Sequence, residues 1–179
     1  GHALAYLLTM YDEVVDGDKF TDGIVINKNL YIIGNDYTID ANNSARIFNV
    51  TNGAVFKIDD ATLTNGCADY GGAIYVDADS FLNTQNVVLY NNTATYRGGA
   101  IYSEGTVDVM DSVLDGNDIT FRTKNDDNGG AAIYNLKGDL SISNSNITNN
   151  LKDIVIRNGN AGDLLVGVVV TSGYTFIED

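Results

Sequence analysis

The side chains able to do covalent or metal chemistry are few in this chain, and their spacing keeps them apart. The one histidine is His2 and the one cysteine is Cys67, so the sequence offers no imidazole base within the domain, no thiolate cluster and no disulfide framework. Cys67 reads as a small, half-buried apolar side chain. Glycoside hydrolysis needs two carboxyl groups at a set separation on one face. Outside the longer 118–128 segment, Asp59-Asp60 is the sole adjacent acid pair within the coils, and consecutive strand residues point to opposite faces. The arginines, at 46, 97, 122 and 157, are scattered, which leaves no basic group beside a cation site for lyase chemistry. Asn125-Asp126-Asp127-Asn128 could attract Ca²⁺, but the ligand spacing of an EF-hand is missing. No catalytic residue, metal ligand or cofactor is therefore expected.

What does recur is a phrase of glycine, isoleucine and tyrosine. Gly71-Gly72-Ala73-Ile74-Tyr75 returns unchanged as Gly98-Gly99-Ala100-Ile101-Tyr102, and again as Gly129-Gly130-Ala131-Ala132-Ile133-Tyr134, which reads as the phrase with one inserted alanine. Arg46-Ile47-Phe48 fills the same slot in degenerate form, giving steps of 27, 27 and 32 residues between Ile47, Ile74, Ile101 and Ile133. A period in this range marks a stacked repeat. The glycine pairs read as corners, where positive φ and close stacking of successive turns both favour glycine. They do not read as a phosphate cradle, because no helix follows them.

Between the corners lie short β-like pieces whose apolar residues fall two apart, as in Val107/Val109 and Leu140/Ile142. Three pieces per period can be traced, for example 74–76, 80–82 and 87–89, and three strands per turn is what a parallel β-helix needs. The expected fold is all-β: a parallel β-helix of five to six coils, with repeat coils over residues 23–150 and an irregular final coil over 151–179. At about 4.8 Å per coil this makes a rod of about 25–30 Å. Residues 3–15 carry Leu4, Leu7, Leu8, Tyr11, Val14 and Val15 at helical spacing. They are expected to form an amphipathic helix capping the open end of the stack. Gly1-His2 reads as a cloning remnant ahead of a single domain.

An apolar residue followed three positions later by asparagine recurs at Leu89/Asn92, Leu114/Asn117 and Ile147/Asn150. Such asparagines are expected to stack as a ladder along one corner, at about 1 kcal/mol per hydrogen bond. Strand alternation places Tyr75, Tyr102 and Tyr134 outward, in a row with Phe48. That row serves either as a self-supporting ladder or as a binding face for sugar rings or protein. Residues 118–128 account for the longer third step and carry Phe121 and Arg122, a second candidate binding segment. The Asn-x-Ser/Thr triplets at Asn42, Asn49, Asn91 and Asn146 hint at surface exposure.

A net charge of −14 and a pI near 4.1 argue against nucleic acid and anionic membrane as partners. No run of 18 apolar residues is present, so direct membrane insertion is not expected.

The Gly-Gly-Ala-Ile phrases, the asparagine spacing and the opening Asn29-Leu30-Tyr31-Ile32-Ile33-Gly34, Thr38-Ile39-Asp40 and Thr64-Asn65-Gly66 resemble the adhesin-like proteins of methanogenic archaea. More loosely they resemble the chlamydial polymorphic outer-membrane protein repeat. The resemblance covers about residues 3–150, and the part after Asn150 departs from the repeat. It implies a right-handed parallel β-helix on a cell surface, within a larger anchored protein. It also implies an adhesive role, with a protein or glycan of another cell as partner, and it supplies no catalytic motif. The alternative, a pectate-lyase-like or hydrolytic β-helix enzyme, shares the fold, and fold alone does not choose between them.

Overall fold

Strand-forming runs broken by asparagine, aspartate and glycine corners fold into three parallel sheets wound along one chain. In the computed structural model the described residues are 22–121, 129–151, 154–156, 164–166 and 169–171. The first sheet stacks β1 (Ile24–Ile26), β3 (Phe48–Val50), β6 (Ile74–Val76), β9 (Ile101–Ser103), β13 (Ile133–Asn135) and β16 (Ile154–Ile156). The second is built from β2 (Leu30–Asp40), β4 (Val55–Thr64), β7 (Phe81–Tyr90), β10 (Thr106–Met110), β11 (Val113–Asp115), β14 (Leu140–Ser143), β15 (Ser145–Thr148), β17 (Leu164–Val166) and β18 (Val169–Thr171). The third holds β5 (Cys67–Tyr70), β8 (Thr93–Arg97) and β12 (Asp118–Ile119). Every paired strand is parallel to its neighbour, as expected when each turn lies on the one before.

Three strands per turn is the right number, but they are not the three read from the sequence. The second and third pieces of each early turn are one long strand. β4 and β7 run unbroken through a left-handed residue, Asp60 at φ 51° and Asn86 at φ 51°. Only later does this bend divide the strand, at Asp111 and Asn144, into β10/β11 and β14/β15. The third wall comes from 67–70 and 93–97, whose polar, mixed composition gives no strand signal. About four turns, opened by β3, β6, β9 and β13, lie among the described residues, and the first three of them carry a third-sheet strand. That is fewer than the five to six coils expected, with β1–β2 and β16–β18 adding strands at the two ends. The capping helix expected over 3–15 and much of the irregular coil over 151–179 lie outside the described residues.

The core is a set of columns, one residue per turn. Phe48, Ile74, Ile101, Ile133 and Ile154 stack on the first sheet, and Leu63, Leu89, Leu114 and Ile147 on the second. All are 0% exposed, and each fully buried side chain of this size contributes about 1.5–3 kcal/mol by leaving water. Phe48 therefore occupies the isoleucine column: it pairs with Ile74, and Asn49 pairs with Tyr75. The row of outward aromatics loses its first member, and the first step of the repeat is one residue shorter than read.

The corner glycines divide into two roles. Gly71, Gly98 and Gly130 have φ of 64°, 66° and 59°, and a Cβ on any of them would lie within 2.4 Å of a carbonyl oxygen three residues on. Gly72 and Gly99 are held by close stacking instead, since a Cβ there would meet the carbonyl oxygens of Gly99 and Ala131 at 2.3 and 2.4 Å. The third phrase is thus not an insertion of alanine. Ile133 pairs with Ile101 and Gly129 bridges Arg97, so Gly130 is the corner and Ala131 stands where Gly72 and Gly99 stand. Gly129 is not a corner residue.

Candidate functional site

Beyond the core, the most organised surface lies where the outer side of the first sheet meets the third sheet. Alternation does turn Tyr75, Tyr102 and Tyr134 away from the main core, and they stack ring on ring at 5.3 and 5.6 Å between centroids. They are not an open row, however. Tyr134 is 0% and Tyr102 is 6% exposed, and only Tyr75 is half-buried. The third sheet is the reason: Tyr70 at the end of β5 packs its ring 5.3 Å from Tyr102, and Leu136 closes against the same cluster.

Two arginines complete the cluster. The Arg46 guanidinium lies 5.1 Å over the Tyr75 ring while donating to the carbonyls of Gly71 at 3.1 Å, Tyr70 at 2.8 Å and Asp22 at 3.3 Å. Burial pulls its pKa down from the ordinary value, and Asp22 opposes the shift. Arg97 lies 4.9 Å over the Tyr134 ring. Cation–π contacts of this kind contribute about 0.5–2 kcal/mol each. Tyr75 donates its hydroxyl to Glu104 at 3.0 Å, and burial first, then that bond, pushes its phenol up to about 12. Burial and the Glu104 carboxylate push Tyr102 upward as well. Both phenols are neutral at physiological pH, which suits packing more than acid–base work.

A line of solvent-facing aromatics lies on the third sheet, and two of its members carry no signal in the sequence; exposed tyrosines also lie on the second sheet, at Tyr31, Tyr37 and Tyr90. Tyr70, Tyr96 and Phe121 form a line across β5, β8 and the end of β12, with centroids 5.5 and 5.4 Å apart. Tyr70 is 38% and Phe121 is 49% exposed, and Tyr96 between them is half-buried. Tyr70 and Tyr96 were not legible because the strands carrying them were not. Arg122 lies outside the described residues.

The asparagine corner is a continuous hydrogen-bonded column. Asn92 donates to Leu63 O at 3.0 Å, Asn117 to Leu89 O at 3.0 Å and Asn150 to Leu114 O at 3.0 Å, each reaching back one turn. Their Oδ1 atoms accept from the turn before: Asn92 from Gly66 N, Asn117 from Asn92 N, and Asn150 from Asn117 N. All three are buried and occupied in holding the corner. A second internal ladder, of serines, has no sequence signal. Ser112 Oγ donates to Met110 O at 2.7 Å and accepts from Val87 N at 3.2 Å, while Ser145 Oγ accepts from Ser112 N at 3.1 Å.

No group of three or more histidine, cysteine, aspartate or glutamate side chains is placed to hold a metal ion among the described residues. No helix among them is long and apolar enough to cross a membrane.

Residues 86–104, which contain β8 and the second Gly-Gly-Ala-Ile-Tyr phrase, match the Chlamydia polymorphic membrane protein repeat. Over 82 residues, 45% of the chain, the sequence is 40% identical to the Probable autotransporter YfaL of Escherichia coli (strain K12). That match spans 6% of the relative's length. No solved structure matches the chain.

Proposed function

We propose that this chain is a non-enzymatic, surface-exposed adhesin-like domain of a larger protein, which meets a protein or glycan of another cell along its lateral wall. The observation that carries the reading is the line Tyr70, Tyr96 and Phe121, aromatic rings held in solvent at roughly one per turn by a rigid parallel scaffold. Tyrosine and phenylalanine so placed offer large contact area at small entropic cost. The similarity to a polymorphic membrane protein repeat and to an autotransporter supports a place on the cell surface. The resemblance to archaeal adhesin-like proteins points the same way.

The tyrosines first suggested by the repeat have a different part in this reading. Tyr102 and Tyr134 form the buried backing of the wall, Phe48 fills the core, and Tyr75 with Phe121 remains at its edge. Incubation of the purified chain with a panel of acidic and neutral polysaccharides tests the non-enzymatic half of the proposal. The expected outcome is binding to some of them with no loss of polymer length, and depolymerisation of any would overturn it.

A further inference from the structure

Two Asn-Gly pairs lie wholly among the described residues, Asn52-Gly53 and Asn65-Gly66. With no side chain on the second residue, such a pair leaves the backbone nitrogen open to the asparagine's own side-chain amide. The chemistry available to both pairs is ring closure. The glycine nitrogen, as it loses its proton, attacks Cγ of the asparagine; a C–N bond forms, the Cγ–Nδ2 bond breaks, and ammonia leaves with the proton. Water then opens the cyclic imide at either carbonyl, giving aspartate or isoaspartate. The reaction requires a glycine nitrogen and an amide that are not held by other partners, and room for the ring.

The fold treats the two pairs in opposite ways. Gly66 is buried, and its N–H donates to Asn92 Oδ1 at 2.9 Å, a bond of the asparagine ladder. The Asn65 amide donates to Asp40 Oδ1 at 2.9 Å. A Cβ on Gly66 would lie 2.2 Å from the carbonyl oxygen of Gly72, so the corner has no space for a ring. Asn52-Gly53, by contrast, is the two-residue corner between β3 and β4. Its φ values are 61° and 67°, and Ala54 N donates across it to Thr51 O at 3.2 Å, the geometry that Asn-Gly favours. Both residues are exposed. Neither the Asn52 amide nor the Gly53 N–H has a hydrogen-bond partner among the described residues. The nearest atom to a Cβ on Gly53 would be the Asp79 carbonyl oxygen, at 3.8 Å.

We propose that Asn52 is a self-modifying site, converted to aspartate and isoaspartate in the folded protein while the same pair at Asn65 is held intact by its corner. The only co-reactant is water. Either product adds a negative charge to the corner after β3, and isoaspartate also lengthens the backbone there by a methylene.

Peptide mapping by mass spectrometry of the full chain, kept at mildly alkaline pH either folded or in guanidinium chloride, tests this. In the folded chain the peptide carrying Asn52 should take on the mass of the acid and separate into two isomers, at least about tenfold faster than the peptide carrying Asn65. In guanidinium the two rates should converge, because unfolding removes the bonds that hold Asn65 and Gly66. Conversion of Asn65 as fast as Asn52 in the folded chain would overturn the proposal. So would an Asn52 that stays intact when folded over a period in which the unfolded chain converts it.

Discussion

At the scale of single residues the molecule depends on side chains that satisfy the backbone of a neighbouring turn. Asn117 accepts from Asn92 N and donates to Leu89 O and to Asn150 Oδ1 in a buried corner. Asn117→Ala leaves these partners without water to replace it, so unfolding free energy should fall by roughly 3 kcal/mol in a denaturant titration. A loss under about 0.5 kcal/mol would mean the ladder is incidental. Gly98→Ala meets both a φ of 66° and the Ile101 carbonyl 2.4 Å from its new Cβ, and the same titration should show a loss of at least about 3 kcal/mol. Tyr75 gives a pH signature. Its folded pKa, raised from 10.0 to about 12, means that the folded state keeps this proton longer than the unfolded chain does. The resulting stability is intact below pH 10 and is lost as pH rises toward 12. Tyr75→Phe should therefore flatten the alkaline decline in stability, and an unaltered slope would contradict the assignment. The asparagine corner was legible because its spacing repeats beside an apolar residue. Ser112 and Ser145 were not, since a buried serine and a solvated one look alike in sequence.

At the scale of elements, corners decide which strands exist. Asp60, Asn86, Asp111 and Asn144 share one column of left-handed residues. Asn86 donates to Asp60 at 2.6 Å and Asn144 donates to Asp111, so acid and amide alternate from Asp60 to Asn144. Asn86→Asp would place three carboxylates in succession, and we expect a destabilisation of about 1 kcal/mol at neutral pH and low salt. The loss should shrink in high salt, and salt independence would argue that charge is not its cause. The apolar columns of both main sheets were legible from period-two spacing. The offset at Phe48 was not, because Arg46-Ile47-Phe48 places two apolar residues in succession with no glycine pair to fix the register. Backbone pairing resolves it: both Ile47 N and Phe48 N donate to Ala73 O. The third sheet escaped notice for a related reason, since Cys67-Ala68-Asp69-Tyr70 has no apolar alternation. With it went the knowledge that Tyr102 and Tyr134 are covered.

At the scale of the whole molecule, a stack of parallel turns presents the same wall to solvent at every level, and a net charge of −14 keeps that surface soluble. If the chain adheres along this wall as proposed, contact is spread over several turns and affinity rests on a few aromatic anchors. Tyr70 and Tyr96 are the proposed anchors to alter, and because the Tyr70 ring also packs 5.3 Å from Tyr102, the altered chain is first checked for its fold. The most direct test of the adhesive role is the binding of the labelled chain to intact cells and to a glycan array, beside a Tyr70→Ala/Tyr96→Ala variant shown by thermal unfolding to be folded. The account predicts saturable binding by the chain and a loss of at least about tenfold in the variant. Equal binding by the two, or no saturable binding by either, would contradict it.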